Sequence, residues 1–383
     1  MLVSKHHGRM RFRAKAVRKI SEIPASDWNR VFPDVPENYA FFRTLDESDF
    51  DQFSFFYIIV YDGGTPVGAA ACFLTDYSLD TSISGPLRRI TNRAKKLMPG
   101  IFSLKVLVCG IPMGQGRIGI SGEEEPVLKA ILRCMERLAR KNRAAIIAFK
   151  DLGKSYARMS DFLLKSGFKK FESLPTTEMD VRFRDFEEYL KTLSGSTRYD
   201  LRRKFKKAEE TVNIDLEITG ELDDGQLADV YRLYLNTVEK HELGFEVVPP
   251  GFFKNISKNM QQNARFFLWK IDGRIVAFLL GLLSKDLFID YYMGLDYSVA
   301  LKYHLYFLKF RDTMKWCISN NVKKYEMGIT GYEPKKRLGF DFIPLYLYVK
   351  LRNRVFRPLF DAVCPLLKFD NFDPILKQMT HED

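Results

Sequence analysis

One order of signals occurs twice in this chain, and it limits the fold more than any single motif does. Residues 53–74 (FSFFYIIVYDGGTPVGAAACFL) read as two strands joined at Asp62-Gly63, and residues 265–283 (RFFLWKIDGRIVAFLLGLL) as two strands joined at Asp272-Gly273. Asp-Gly suits a tight hairpin because both central residues can take positive φ. The first hairpin is followed by a buried-type strand (103–113), an amphipathic helix (124–142), a strand, and a helix closed by Gly167-Phe168. The second is followed by a strand (287–296), a long helix (301–321), a strand, and a closing Gly339-Phe340. Each dipeptide alone is common; the shared order indicates an internal duplication. The expected fold class is α/β (α+β), with two similar domains in tandem, each a mixed, mostly antiparallel sheet flanked by helices.

The expected boundaries follow from this repeat. A basic, disordered tail covers 1–20, a degenerate first domain 21–190, a basic linker helix 191–212, a second domain 213–355, and an amphipathic segment with a tail 356–383. The linker, STRYDLRRKFKKAEE, starts with Thr197 and Asp200 in a capping-box pattern, and Leu201, Phe205 and Ala208 form its apolar stripe. The first twenty residues hold seven Lys/Arg but lead into no apolar signal region. The longest apolar runs, such as 275–283, are about half of the ~20 residues that span a bilayer, so a soluble or peripheral protein is expected.

Net charge is +12, which favours an anionic partner: nucleic acid, an anionic membrane, or a phosphate-bearing cofactor. The motifs narrow the chemistry by exclusion. The five cysteines and five histidines show no metal-ligand or redox spacing, so no metal site is expected and the thiols read as buried. Residues 114–119, GQGRIG, match G-x-G-x-x-G after a strand. However, ISGEEEP intervenes before the next helix and puts three glutamates where phosphates would sit, so dinucleotide binding is not expected. No nucleophile elbow or catalytic-cysteine signature is present.

The informative stretch is 325–353, YEMGITGYEPKKRLGFDFIPLYLYVKLRN. It reads as a strand ending at Gly328, then a loop carrying Tyr332, Lys335, Lys336 and Arg337. Three cations and a phenol on one loop suit an anionic ligand, although a solvated basic turn has the same composition.

The run from STRYDLRRKFKKAEE through the Asp-Gly hairpin and YYMGLD to the closing Y-x-x-K-x-x-L-G resembles the tandem GNAT families. These include the Fem-type peptidyltransferases and FemAB-like acyltransferases of bacteria. IPASDWN and the G-x-P-x-x-x-G at 110–116 extend the resemblance to the first half, so it covers roughly residues 20–355. It implies two GNAT-like domains and transfer of an acyl group from a thioester or aminoacyl ester to an amine, with the working site mainly in the second half. By position, Lys335 matches the lysine that Fem-type enzymes place near the donor, and Arg198 and Arg202 match the cationic helix. Lys336 and Arg337 complete the implied donor-binding set. The acetyl-CoA signature Arg/Gln-x-x-Gly-x-Gly/Ala is not intact: Gln115 lacks the glycine spacing, and YSVALKYH after YYMGLD has no glycine pair. This departure counts against an ordinary acetyl-CoA pocket.

Acyl transfer to an amine needs a base, oxyanion donors, a proton for the leaving group, and positioning. Tyr292 and Asp296 on or just past a strand, Tyr332 as donor to the leaving thiolate, and His241 or Glu242 as base are the catalytic candidates. Strand alternation is expected to put Tyr291 and Tyr292 on opposite faces. No tightly bound cofactor is expected; acyl-CoA or another acyl thioester is the co-substrate. Residues 87–102 and 350–369 mix Arg/Lys with Leu, Phe and Val as interfacial segments do. Together with the charge they favour a lipid or amphipathic amine such as a sphingoid base, and a cytoplasmic protein at the inner face of the membrane. Two alternatives stand beside this reading. One is a Fem-type, aminoacyl-tRNA-dependent peptidyltransferase acting on a cell-wall precursor, although no long heptad segment is present. The other is a non-catalytic lipid or glycan binder.

Overall fold

The computed structural model describes residues 12–78, 103–240 and 246–353. In chain order its elements are β1 (Phe12–Val17), α1 (Ala25–Val31), α2 (Tyr39–Asp46), β2 (Ser54–Asp62), β3 (Thr65–Ser78), β4 (Ser103–Cys109) and β5 (Ile118–Ile120). Then come α3 (Glu124–Lys141), β6 (Ile146–Leu152), α4 (Ala157–Lys165), β7 (Lys169–Asp180), α5 (Phe186–Thr192) and α6 (Gly195–Thr211). Next are β8 (Asp215–Thr219), α7 (Asp224–Lys240), α8 (Pro250–Asn259), β9 (Ala264–Ile271), β10 (Arg274–Leu283) and β11 (Leu287–Leu295). The last are α9 (Tyr297–Ala300), α10 (Leu305–Ser319), β12 (Lys324–Gly328), α11 (Tyr332–Arg337) and β13 (Asp341–Leu351). No described helix is long and apolar enough to cross a membrane.

The described residues form two compact units. The first holds 12–33, 51–78, 103–173 and 345–353; the second holds 34–50, 174–240 and 246–344. In the first unit the strand order is β1-β2-β3-β4-β6 followed by the end of β13, with β5 beside β3. All pairs are antiparallel except β4 with β6, whose parallel step is bridged by α3. In the second unit the order is β8-β9-β10-β11-β12 followed by β7. Again all are antiparallel except one step, β11 with β12, bridged by α10. The duplication read from the sequence is therefore a shared topology.

Each unit takes its last strand from the other half of the sequence. Tyr346–Leu351 of β13 zip onto β6 in the first unit, and Thr177–Asp180 of β7 onto β12 in the second. The division expected at residue 190 thus falls at Ser173/Leu174, and α2 belongs to the second unit although it precedes the first hairpin. Local signals cannot report such an exchange, because the pairing is long-range.

The cores follow from helical and strand periodicity. Val127, Leu128, Ile131 and Met135 of α3 are buried with Ile58, Val60, Leu107 and Ile147 of the first sheet. Glu124 and Glu125 open that helix and Arg140 and Lys141 close it, as the helix dipole favours. In the second unit Leu308, Phe310, Met314 and Cys317 of α10 pack with Phe267, Trp269, Phe288 and Tyr325. The described cysteines, Cys72, Cys109, Cys134 and Cys317, are buried free thiols.

Several expectations change. Residues 12–17 of the supposed tail are β1, registered on β2. The first hairpin turns on Gly63-Gly64, both at positive φ, one residue later than Asp62-Gly63; the second does turn on Asp272-Gly273. The linker helix starts at Gly195, where the Ser194 side chain accepts from Thr197 N–H, so Ser194 takes the capping role expected of Thr197. Leu201, Phe205 and Ala208 are its buried stripe, as the spacing required. In the GQGRIG run, a Cβ on Gly116 would lie 1.9 Å from the Lys150 carbonyl oxygen, and one on Gly119 2.7 Å from Val31. Those glycines serve close packing within the first unit.

Candidate active site

The second sheet opens at its parallel step. β11 pairs with β12 only through Leu287–Ile289 against Lys324–Glu326. From Asp290 to Leu295 the edge of β11 that faced β12 has no strand partner among the described residues, while its other edge stays paired to β10. Main-chain groups along the freed edge are therefore not taken up by sheet pairing, and such groups can offer N–H donors to a ligand oxygen.

A bulge shapes the same strand. On β10, Leu280 pairs with Tyr292 and the next residue, Gly281, with Asp290, so Tyr291 is the extra residue. The Phe288 ring occupies the space beside Gly281, where a Cβ would sit 2.2 Å from it. The bulge breaks the alternation: Tyr291 and Tyr292 do not simply take opposite faces, and their rings meet edge-on at 5.3 Å.

Those rings join an aromatic wall. Tyr292 contacts Tyr234 of α7 at 5.4 Å and Phe252 of α8 at 5.9 Å, and Tyr291 contacts Phe41 of α2 at 5.7 Å. Gly294 lets α7 lie tight on β11, since a Cβ there would strike the Leu233 main chain at 2.5 Å. Tyr292 Oη donates to Glu246 Oε1 at 3.2 Å. Burial, reinforced by the Glu246 charge, pushes the Tyr292 phenol well above its ordinary pKa, so it stays protonated. Tyr234 Oη accepts from Val248 N–H at 3.0 Å and pins the segment carrying Glu246.

Beneath the point where the strands part lies a buried polar group. Asp290 pairs with Lys309 of α10; their side chains are 6% and 1% exposed. Tyr325 Oη lies 3.4 Å from the same carboxylate. On β12, Glu326 accepts from Thr176 Oγ1 at 2.9 Å. Lys335 is buried too. Its Nζ donates to the carbonyls of Met327, Gly328 and Ile329 at 2.7, 3.0 and 3.2 Å, bracing the chain just past the end of β12. Burial pulls its pKa down to about 7, despite the nearby Asp290 charge.

The expected basic loop is thus the short helix α11, and its three cations diverge. Lys335 points inward, Lys336 is exposed, and Arg337 reaches Asp200 at 3.1 Å. Tyr332 is buried, donating to the Pro175 carbonyl at 2.9 Å, so its proton is committed to the main chain. Asp296 caps α9, accepting from Ser298 N–H at 3.1 Å. Burial works to raise its pKa, but the Ser298 hydrogen bonds, with Arg274 and Arg232, outweigh that and hold it below the usual value. Arg202 pairs with Glu187, and Arg198 donates to the Lys191 carbonyl at 3.4 Å, so both brace α6 against its neighbour α5. His241 and Glu242 lie outside the described residues, as do 87–102 and, beyond 353, the segment 350–369.

Two features escaped the sequence reading. Glu246 lies in the same stretch as His241 and Glu242, TVEKHELGFEVVPPGFF at 237–253, and its position there was the available signal. The other is the opposite face of α6. His304, at φ 51° just before α10, has its pKa lowered by burial and by Lys204, Lys207 and Arg203. Those three cations share a helical face distinct from that of Arg198 and Arg202, and i, i+3, i+4 spacing would have separated the two sets.

Residues 195–337, most of the second unit, match the acetyltransferase (GNAT) domain family. A curated relative from Mycobacterium tuberculosis, named "Putative 8-amino-7-oxononanoate synthase 2", is 25% identical over 324 residues, 82% of this chain and 42% of that protein. The chain therefore spans less than half the length of the curated relatives it matches. Among solved structures, FemX aligns with a TM-score of 0.59 at 13% identity, over 91% of this chain and 99% of that one. A tandem GNAT protein from the clavulanic acid biosynthesis pathway aligns with a TM-score of 0.51 at 9% identity, over 88% and 98%. At these identities the likeness is one of fold. The chain has the tandem GNAT, Fem-like fold, and its second unit carries a GNAT acetyltransferase domain.

Proposed function

We propose that this tandem GNAT chain is an N-acyltransferase that moves an acyl group from an acyl-CoA-type thioester to the nitrogen of an aliphatic, amphipathic amine of the sphingoid-base kind. The observation that carries this reading is the parting of β11 from β12 after three residues. The thioester carbonyl lies along the freed edge of β11, whose N–H groups stabilise the oxyanion as the amine adds. Glu246 takes the amine proton, held in place by Tyr292. The new C–N bond forms as the C–S bond breaks, and the leaving thiolate becomes the thiol by taking the proton that Glu246 removed from the amine. Lys335 positions the far side of the gap through its three carbonyl bonds. The donor phosphates sit at the first amides of α10 beside Lys204, Lys207 and Arg203.

The aromatic wall of Phe41, Phe252, Tyr234, Tyr291 and Tyr292 suits a hydrocarbon chain on the acceptor. The M. tuberculosis relative's name points the same way, since 8-amino-7-oxononanoate carries its amine beside a ketone on an aliphatic chain. A lipid amine would bring the protein to the inner face of the membrane.

The test is to incubate the purified full chain with palmitoyl-CoA and a long-chain 2-amino alcohol and to follow the amide by mass spectrometry. A second arm supplies aminoacyl-tRNA with and without RNase. Amide formation that is indifferent to RNase is expected. RNase-sensitive transfer alone would replace this reading with the Fem-type one, and amine binding without turnover would replace it with a binder.

A further inference from the structure

Among the described residues, of the two helices that bridge a parallel step only α10 buries a charge. In the first unit every buried side chain of α3, from Val127 to Ala139, is apolar or a thiol. In the second, α10 buries Lys309 among Leu308, Phe310 and Met314, and Lys309 Nζ pairs with the Asp290 carboxylate. Asp290 is the first residue of β11 beyond its last pair with β12, Ile289 with Glu326. It follows Phe288 by two, so strand alternation aims both side chains toward α10, where Phe288 joins the core. Tyr325 Oη of β12 lies 3.4 Å from the same carboxylate. Asp290 is thereby tied both to the bridging helix and to the strand it is leaving, and the bulge at Tyr291 follows at once.

Stability does not call for this pair. Taking two charges out of water offsets much of what their attraction returns, and an apolar pair of similar size often serves as well. The helix α3 docks on the first sheet without one. What an ion pair adds is direction: it holds two groups at one distance and angle, which apolar contact does not. It does so here where the ladder hydrogen bonds on that edge of β11 have just ended.

We infer that Asp290 and Lys309 are positioning residues for acyl transfer: their pair fixes β11 at the parting point and so sets the direction of the N–H groups on the freed edge. This rests on the acyl-transfer reading above, in which those groups meet the oxyanion. With side chains 6% and 1% exposed, the two residues act through the main chain and not on the reacting atoms.

The experiment compares the full chain with Asp290→Val/Lys309→Met, which removes both charges and strands neither, and with Tyr325→Phe, which removes only the hydroxyl beside the carboxylate. Melting, steady-state kinetics with palmitoyl-CoA and the long-chain 2-amino alcohol, and amide exchange by mass spectrometry are measured on each. The double variant is expected to melt within a few degrees of wild type, with kcat lower by about ten-fold or more and KM for both substrates within about two-fold. Amides of 290–295 should exchange about ten-fold faster or more, and those of β4 at the wild-type rate. Tyr325→Phe should give the same split at about two- to five-fold, and it decides the question if the double variant does not fold. Wild-type kcat in a folded double variant, or unchanged exchange over 290–295, overturns the inference. Faster exchange in both sheets alike also overturns it, because that is general loosening. If wild type transfers no acyl group, the acyl-transfer reading fails by itself, and exchange at 290–295 still decides whether the pair holds the strand.

Discussion

The two units share a strand order but treat its parallel step differently. In the first, β4 is paired to β6 through its last residue, Cys109 against Phe149, and the register of β3 on β4 is unbroken. The glycine loop that follows lies on the next turn of chain, with Gly116 against the Lys150 carbonyl. In the second, pairing stops after Ile289, Tyr291 bulges, and Lys335 holds the end of β12 from below. One topology thus gives a fully paired step or a strand edge left unpaired, depending on one extra residue and on what supports the neighbouring strand end. The closed case explains why the first half's glycine motif looks like a ligand loop and is used for packing.

The sharpest way to break this contrast is at Glu246. Glu246→Gln should lower kcat for acyl transfer by roughly 10²-fold or more, the usual scale for loss of a general base, without lowering the melting temperature. An unchanged rate would remove the base from the open gap. Next is Lys335. Its folded pKa of about 7 lies below the ordinary 10.5, so between those values the unfolded chain binds the extra proton and stability rises with pH. Below pH 7 both states are protonated and the buried charge costs its full amount. Thermal melts from pH 7 to 10 should show a rise in wild type approaching ~1.4 kcal/mol per pH unit. That rise should be absent in Lys335→Met.

A matched pair of glycine substitutions sharpens the comparison further. Gly281→Ala and Gly116→Ala each force a methyl into occupied space, and each should cost about 1–3 kcal/mol in melts. Only Gly281→Ala, which disturbs the bulge, should also lower the transfer rate per folded molecule, by about ten-fold, a barrier change of ~1.4 kcal/mol. Equal activity losses would mean that the two units work together in the chemistry. The smallest effect is expected at Asp296→Ala, which removes a helix cap worth ~1 kcal/mol and should leave transfer within two-fold.

The sequence carried the local part of this fold. Asp272-Gly273 turns the second hairpin because both residues adopt positive φ, and the stripe of α6 is buried where its spacing puts it. Non-local features were out of reach. No periodicity reports that β7 and β13 exchange units, or that α2 belongs with the later residues. At the candidate site, alternation was expected to put Tyr291 and Tyr292 on opposite faces, and a bulge cancels that assignment. The three cations of 335–337 read as one cluster because a loop was assumed. As a helix they point in different directions, while Lys204, Lys207 and Arg203 of α6 are the cations whose charge lowers the pKa of His304.

The exchange of closing strands has a consequence for how the protein can be made. β6 is complete at Leu152, but the strand that covers its open edge is Tyr346–Leu351. A ribosome adding roughly 5–20 residues per second needs about 10–40 s to deliver it. Throughout that interval the nascent amino-terminal sheet presents an unsatisfied, sticky border. Splitting the gene between its two repeats would leave each product permanently in that condition, so the halves of this duplication have become inseparable.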